Sequence, residues 1–299
     1  MLWGILGYGL GDIMNTLIAI ILYNKEIENS LTINSLLNSS CQNYDLVVIN
    51  NGPNRINYKI FEEALPPGKI KNFFFEEFLD NKPLSFLYNE VINKYQNADR
   101  FILLDDDSLL DANFFFDIDS NISSENEVDL QVPKIIDNKT GIEFYPRYNG
   151  IPVEEQYQHD SKEKYFFYSI GSGLVIYKSL VDKMKDFYPD LFDTRFALYG
   201  VDVSLFRRIK AIESNGVCVN IQIVSKINHS LSRTETVMPA WRYKERLFDS
   251  VLSTKYYSRN KFYLFYHFVR LILIEVSKLN INNIKLIFTT FYTGKHPRT

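Results

Sequence analysis

The sequence predicts an α/β protein built on a mostly parallel central sheet flanked by helices. Three apolar runs predict it: LIAIILY at 17–23, YDLVVIN at 44–50 and FILL at 101–104. Apolar runs of this length fit strands buried on both faces of a parallel sheet. Each ends in polar or turn-forming residues, and helical patterns lie between them.

Asn24, Lys25 and Glu26 stop the first strand, and IENSLTINSLLNSS at 27–40 reads as a helix. The second strand runs into Asn51, Gly52, Pro53 and Asn54, which are turn residues, so the chain opens as β-α-β. KNFFFEE at 71–77 reads as a short third strand. Residues 83–97 place Leu84, Leu87, Tyr88, Val91, Ile92 and Tyr95 at helical spacing. FILL follows as another buried strand, with Asp105, Asp106 and Asp107 at its carboxyl end. Ligands of such sheets bind beyond the carboxyl ends of the strands. Asn24, Asn51 and the aspartates are therefore expected to converge on one crevice.

The second half is less regular. Residues 117–129 are acidic and polar and read as a surface excursion, while QVPKIID at 131–137 and KYFFYSI at 164–170 read as strands. Gly171, Ser172 and Gly173 lead into LVIYKSLVDKM, a strand running into a helix. KDFYPDLFDTRFALYG at 185–200 is aromatic and irregular. VDVSLFRRIKAIESNG is a helix with a glycine stop, and VCVNIQIVSKIN is a strand that delivers His229.

A chain of 299 residues fits one large α/β domain or a domain with an appendage. Its 46% hydrophobic content excludes a disordered protein. Cys41 and Cys218 provide neither a disulfide framework nor a Cys-rich zinc site, which suits a reducing cytoplasm. The apolar start MLWGILGYGLGDIMNTLIAIILY lacks a basic n-region and carries Asp12 and Asn15, so residues 1–15 read as a docked or frayed terminus rather than a secretory signal or membrane span.

Charge is uneven. From Trp241 to Thr299 there are 11 basic residues against Glu245, Asp249 and Glu275, a balance of +8 in a chain of net −3. Such a tail suits an anionic surface. Its apolar run FYLFYHFVRLILI, 262–274, is too short and too interrupted by His267 and Arg270 to cross a bilayer. It fits a helix lying on a membrane, or one packing its aromatic face on the body.

Three adjacent carboxylates repel one another, so the triplet needs a neutralising partner. One aspartate suffices as an N-cap, and the Asp-x-Thr/Val pattern of a haloacid-dehalogenase nucleophile is missing. A hard divalent cation shared with a diphosphate would offset the crowding. The triplet alone leaves a metal site and a solvated turn both open. Asp202, at the start of its helix, reads alone as either a helix-start carboxylate or a catalytic one. His229 reads alone as a surface histidine or a ligand. The order is more specific than its parts: an Asp triplet after a buried strand, a Gly-Ser-Gly segment before a strand, an Asp-led helix, then a histidine at a strand end.

Over roughly residues 17–235 this order resembles the family-2 glycosyltransferases of the GT-A type, which transfer a sugar from a nucleoside diphosphate. ILYNKE and VVINNG look like the first two strand ends of that family, NKPLSFLYN like the approach to the third, and LLDDDS like its DxD motif. GSGLVIYKSLV and FDTRFALYGVDVSLFRRI resemble its acceptor-side segments, INHSLS its late histidine, and KYYSRNKF at 255–262 a stretch found in members that build bacterial surface polysaccharides. Asn50 stands where many relatives have Asp, and Pro83 where Gly is common.

The resemblance implies that Tyr23, Asn24 and Asn51 line the base pocket and that Asp105 touches the ribose, with Asn50 and Asp106 also on the nucleotide side. Asp107 and His229 would hold Mn²⁺ or Mg²⁺, the histidine favouring Mn²⁺, and Asp202 would be the general base. It further implies a catalytic domain at 1–235, its nucleotide half about 17–107 and acceptor half about 108–235, followed by a helical extension at 236–299. The expected enzyme is an inverting hexosyltransferase using a UDP- or dTDP-sugar. Its acceptor would be a lipid-linked glycan in O-antigen or capsule synthesis, met at the inner face of the cell membrane. A nucleotidyltransferase is the rival within enzymes, but LYNKE offers no Gly-rich, Lys/Arg-bearing phosphate loop. A non-catalytic sugar-nucleotide or glycan-binding partner is the rival outside them, and nothing in the acidic remainder supports nucleic-acid binding.

Overall fold

A computed structural model gives the architecture and describes residues 14–122, 127–153, 166–231 and 238–299. Most of the apolar start, the middle of the 117–129 excursion, the beginning of KYFFYSI and the last residue of INHSLS lie outside the described residues.

The first half runs β1 (Thr16–Leu22), α1 (Leu31–Asn38), β2 (Tyr44–Asn50), α2 (Tyr58–Glu63), β3 (Ile70–Glu77), α3 (Leu84–Lys94) and β4 (Arg100–Asp105). The second runs β5 (Leu109–Leu110), α4 (Phe114–Ser120), β6 (Leu130–Asp137), β7 (Glu143–Tyr145), β8 (Arg147–Tyr148), β9 (Ile151–Pro152), β10 (Phe167–Tyr168), β11 (Leu174–Tyr177), α5 (Lys178–Lys185), α6 (Val201–Ser214) and β12 (Ile221–His229). Three further helices follow: α7 (Ala240–Tyr257), α8 (Lys261–Ser277) and α9 (Ile281–Thr293).

The main sheet has the order β3-β2-β1-β4-β11-β6-β12-β5, with β7 on β6; β10-β8-β9 form a small second sheet. β3, β2, β1 and β4 are parallel, β6 and β12 share their direction, and β11, β5 and β7 run against them. The sheet is thus mostly parallel, as the apolar runs predict.

Period-two alternation explains the two cores. Leu17, Ala19 and Ile21 of β1 face α3, α5 and α6 through Leu87, Val91, Leu180, Leu205 and Ile209. Ile18, Ile20 and Leu22 face α1 and α4 through Ile33, Leu36, Phe114 and Ile118. Each fully buried Leu, Ile, Val or Phe side chain among them contributes roughly 1.5–3 kcal/mol. In α7, Leu252 joins the first core, while Leu247 and Val251 pack with Ile287, Phe268, Leu271 and Ile272 of α9 and α8.

Three elements differ from the sequence reading. α4 replaces the start of the acidic excursion, because Phe114, Phe115 and Ile118 supply a buried face that its aspartates mask. The described part of KYFFYSI keeps only two strand residues. Residues 27–40 break into a short 3₁₀ turn at Ile27–Asn29 and then α1, whose N-cap Ser30 accepts from the Ile33 N–H.

Candidate active site

Sheet register brings the strand ends together. Leu22 lies opposite Asn50, and Ile21 opposite Asp105, so β1, β2 and β4 end at one level. His229 arrives from the other side. β12 pairs antiparallel with β5, Asn228 opposite Leu109, which sets His229 beside Ser108 and the aspartates. Nδ1 of His229 is 2.9 Å from Ser108 Oγ and 3.2 Å from Asp107 Oδ1, and its Nε2 is 3.8 Å from Asp105 Oδ2.

Hydroxyls hold this corner rigid. Ser108 Oγ lies 2.7 Å from Ser172 Oγ, which accepts from the Asp105 N–H at 3.0 Å; the Ser108 N–H donates to Thr32 Oγ1 at 2.8 Å. The Gly-Ser-Gly segment is explained by the same packing. Gly173 has φ +86°, and a Cβ there would sit 2.5 Å from Pro133 Cγ.

Asp105, Asp107 and His229 each offer a ligand atom, all within 4.8 Å of one another. Two carboxylates and an imidazole suit Mn²⁺ or Mg²⁺. Burial at the cleft floor raises the Asp105 carboxyl to about 6, with Asp107 and Asp106 adding to the rise and His229 opposing it, although 38% of the side chain is reached through the cleft. Asp107 is raised for the same reasons, burial first. Crowded carboxylates held in this way fit a shared cation. The grouping also brings Asp105, expected at the ribose, in among the candidate ligands.

Asp106 is used differently. It accepts from Lys25 Nζ at 2.6 Å and from the Tyr23 N–H at 3.3 Å, tying the loop after β1 to the triplet. The Asn50 amide is spent on the Asn54 carbonyl, Glu77 and the Gly52 N–H. The Asn51 amide is spent on Asn81 Oδ1 and on the carbonyl and N–H of Lys82. Both residues are buried and shape the turn, whereas Tyr23 and Asn24 are exposed at the strand ends. Arg298 reaches this region too, donating to the Asn81 carbonyl at 3.4 Å and to Glu245 at 3.1 Å.

Asp202 lies in the first turn of α6, after Gly200 at φ +84°. The 191–197 segment that leads to it is bound to α3: the Leu84 N–H donates to the Ala197 carbonyl at 2.7 Å, and Asn89 exchanges hydrogen bonds with the Phe192 backbone. Asp202 therefore shares with Asp105 and His229 the lining of a cleft of about 570 Å³. Burial raises its carboxyl to about 7, the Val203 N–H opposing and the charges of Asp249 and Asp105 adding. Asp193, the nearby carboxylate, is a buried clamp instead. It accepts from Arg195 Nε at 2.7 Å and Tyr257 Oη at 2.6 Å, with Arg208 at 3.5 Å. Despite burial, its guanidinium and phenol partners hold its carboxyl below the usual range.

Sequence reading missed Tyr88, Arg246, Asp249 and Ser250, which line the same cleft as Asp105, the last three from α7. Tyr88 had no signal beyond its helical spacing. The α7 residues did have one: at i, i+3 and i+4 they put a polar face on a helix whose other positions, Leu247, Val251 and Leu252, are buried.

No family's sequence pattern matches the chain, and no curated protein matches it. Solved structures do. GalNAc-T7, determined with UDP, GalNAc and Mn²⁺, is 15% identical with a TM-score of 0.58, over 95% of this chain and 56% of its own; the chain thus spans little more than half of that protein. TarS 1-349 of S. aureus with UDP-GlcNAc is 11% identical with a TM-score of 0.53, over 95% of this chain and 93% of its own. The same protein with UDP gives 13% and 0.51. At such identities the likeness is one of fold, and the fold of this chain is that of the GT-A glycosyltransferases.

Proposed function

We propose that the chain is an inverting, metal-dependent glycosyltransferase that moves a sugar from a UDP- or dTDP-sugar to a hydroxyl of a lipid-linked glycan in bacterial surface-polysaccharide synthesis. One observation carries the reading: Asp105, Asp107 and His229 meet at the strand ends, and Asp202 lines the same cleft. Neighbours of the same fold solved with UDP, UDP-GlcNAc and Mn²⁺ support it.

Tyr23 and Asn24 would meet the base, on a turn fixed by Asn50, Asn51 and Asp106. Asp105, Asp107 and His229 would hold Mn²⁺ or Mg²⁺, which when bound offsets the charge of the departing diphosphate. Asp202 would take the acceptor's proton. The hydroxyl oxygen bonds to the anomeric carbon as the bond from that carbon to the phosphate oxygen breaks, and this single displacement inverts the configuration. Residues 1–235 would form the catalytic domain, with 236–299 as an extension that keeps it at the inner membrane face.

A panel of nucleotide sugars tests the reading, scored for nucleotide release with Mn²⁺, with Mg²⁺ and with chelator, and by the anomeric configuration of the product. Metal-dependent release with inversion is expected. Nucleotide binding without turnover across the panel would leave a binding module instead.

A further inference from the structure

α8 carries apolar side chains on two faces. Inward, Phe268, Leu271 and Ile272 pack with α7 and α9. Outward, Phe262, Phe265, Tyr266, Val269 and Leu273 follow at i, i+3, i+4, i+7 and i+11, a single stripe along the helix. Phe262, Phe265 and Leu273 are 73%, 65% and 60% exposed. The stripe continues through Val276 to exposed Leu279 and Ile281 at the turn into α9. From Phe262 to Val276 it extends about 21 Å at 1.5 Å per residue. A contiguous aromatic surface of that length marks a contact site rather than an ordinary solvated face.

Charge decides the occupant. From Arg259 to Thr293 the cations are Arg259, Lys261, Arg270, Lys278 and Lys285, all exposed. The single acid of that span, Glu275, is buried and bonded to Tyr243 and Asn283. A second copy would bring the same positive rim against this one, whereas anionic headgroups would meet it favourably. No helix among the described residues is long and apolar enough to cross a membrane, so the stripe suits lying on a surface.

We infer that the outer face of α8 is a docking surface for an anionic bilayer, with Phe262, Phe265 and Leu273 entering the boundary between headgroups and acyl chains and Arg259, Lys261 and Arg270 meeting lipid phosphates. The inference deepens the membrane side of the proposed function and is independent of the transfer chemistry.

Flotation of the full chain with phosphatidylcholine vesicles, with and without 30% phosphatidylglycerol, tests it. Binding to the anionic vesicles at low salt is expected, weakened by high salt and by lowering the phosphatidylglycerol content. The double substitution Phe265→Glu, Leu273→Glu should reduce partitioning at least tenfold, with its melting temperature and its metal-dependent nucleotide release unchanged. Should that variant melt early, Arg259→Gln with Arg270→Gln gives the second reading, a several-fold weakening. Wild-type protein that stays with neither vesicle type, or a folded double variant that still floats, overturns the inference. So does a wild-type dimer in sedimentation velocity that Phe265→Glu dissociates, because the face would then belong to a second copy. Failure of nucleotide release in every variant would count against the transfer reading and leave the vesicle result standing.

Discussion

Nδ1 of His229 lies 3.2 Å from Oδ1 of Asp107 because antiparallel pairing of β12 with β5 carries a distant strand end to the aspartate corner. The pair has the reach and the donor chemistry to share one cation with Asp105.

Asp107→Ala and His229→Ala should each remove the Mn²⁺-dependent part of nucleotide affinity while the fold persists. Calorimetric titration of UDP with and without Mn²⁺ measures this, beside a thermal melt. Activity that is unchanged in chelator sinks the metal site.

Asp202→Asn keeps the size and most hydrogen bonding of the side chain but cannot take a proton. Turnover should fall by about 10²- to 10⁴-fold with donor affinity retained. A helix-start role predicts almost no change, since Asn serves there about as well. The comparison needs only steady-state turnover and donor titration on the folded variant.

The Asp202 carboxyl at about 7 fixes two signs of pH dependence. A base must be ionised, so activity should climb about tenfold per pH unit below 7 and level above it, and Asp202→Asn should abolish that limb. Stability runs the other way. Native Asp202 keeps its proton up to about 7 whereas an ordinary solvated aspartate loses it at 3.8, so the unfolded chain binds fewer protons between those values. This group's contribution therefore declines as pH rises from about 4 to 7, by at most about 1.4 kcal/mol per unit. Urea unfolding of the chelated protein across that range, with Asp202→Asn as the reference, isolates the slope. An activity limb near 4 would show that Asp202 is ionised throughout and remove this account.

Asp193→Asn should unfold the protein more easily rather than disarm it. Breaking a buried ion pair costs about 3–5 kcal/mol. Arg195, one partner, is 33% exposed, so the lower end, about 3 kcal/mol, is expected. The melting temperature should drop by roughly 5–10 °C, with turnover per folded molecule preserved. A stable but inactive variant would place Asp193 in the chemistry.

Much of the first half was legible because its signals are local. Apolar runs bounded by Asn-rich turns become β1, β2 and β4, and the Asp triplet falls at a strand end as the pattern requires. The α4 face was hidden because aspartates interleave its three buried residues. The hydrogen-bond partners of Asn50 and Asn51 were hidden for another reason. Their amides are spent on Asn54, Glu77, Asn81 and Lys82, partners fixed only once β2 and β3 pair. Arg246 and Asp249 were legible as charge but not as place, since only docking of α7 brings them to the cleft.

The contact of Arg298 with the Asn81 carbonyl has a practical meaning for anyone handling this protein. Asn81 also accepts from Asn51, so only one residue stands between Arg298 and the turn beside the strand ends. Bulk or charge introduced at Arg298 enters that junction, where it can loosen the loop and be misread as poor substrate affinity. Donor titrations of Arg298→Ala beside the unaltered chain separate that artefact from a change at the strand ends themselves.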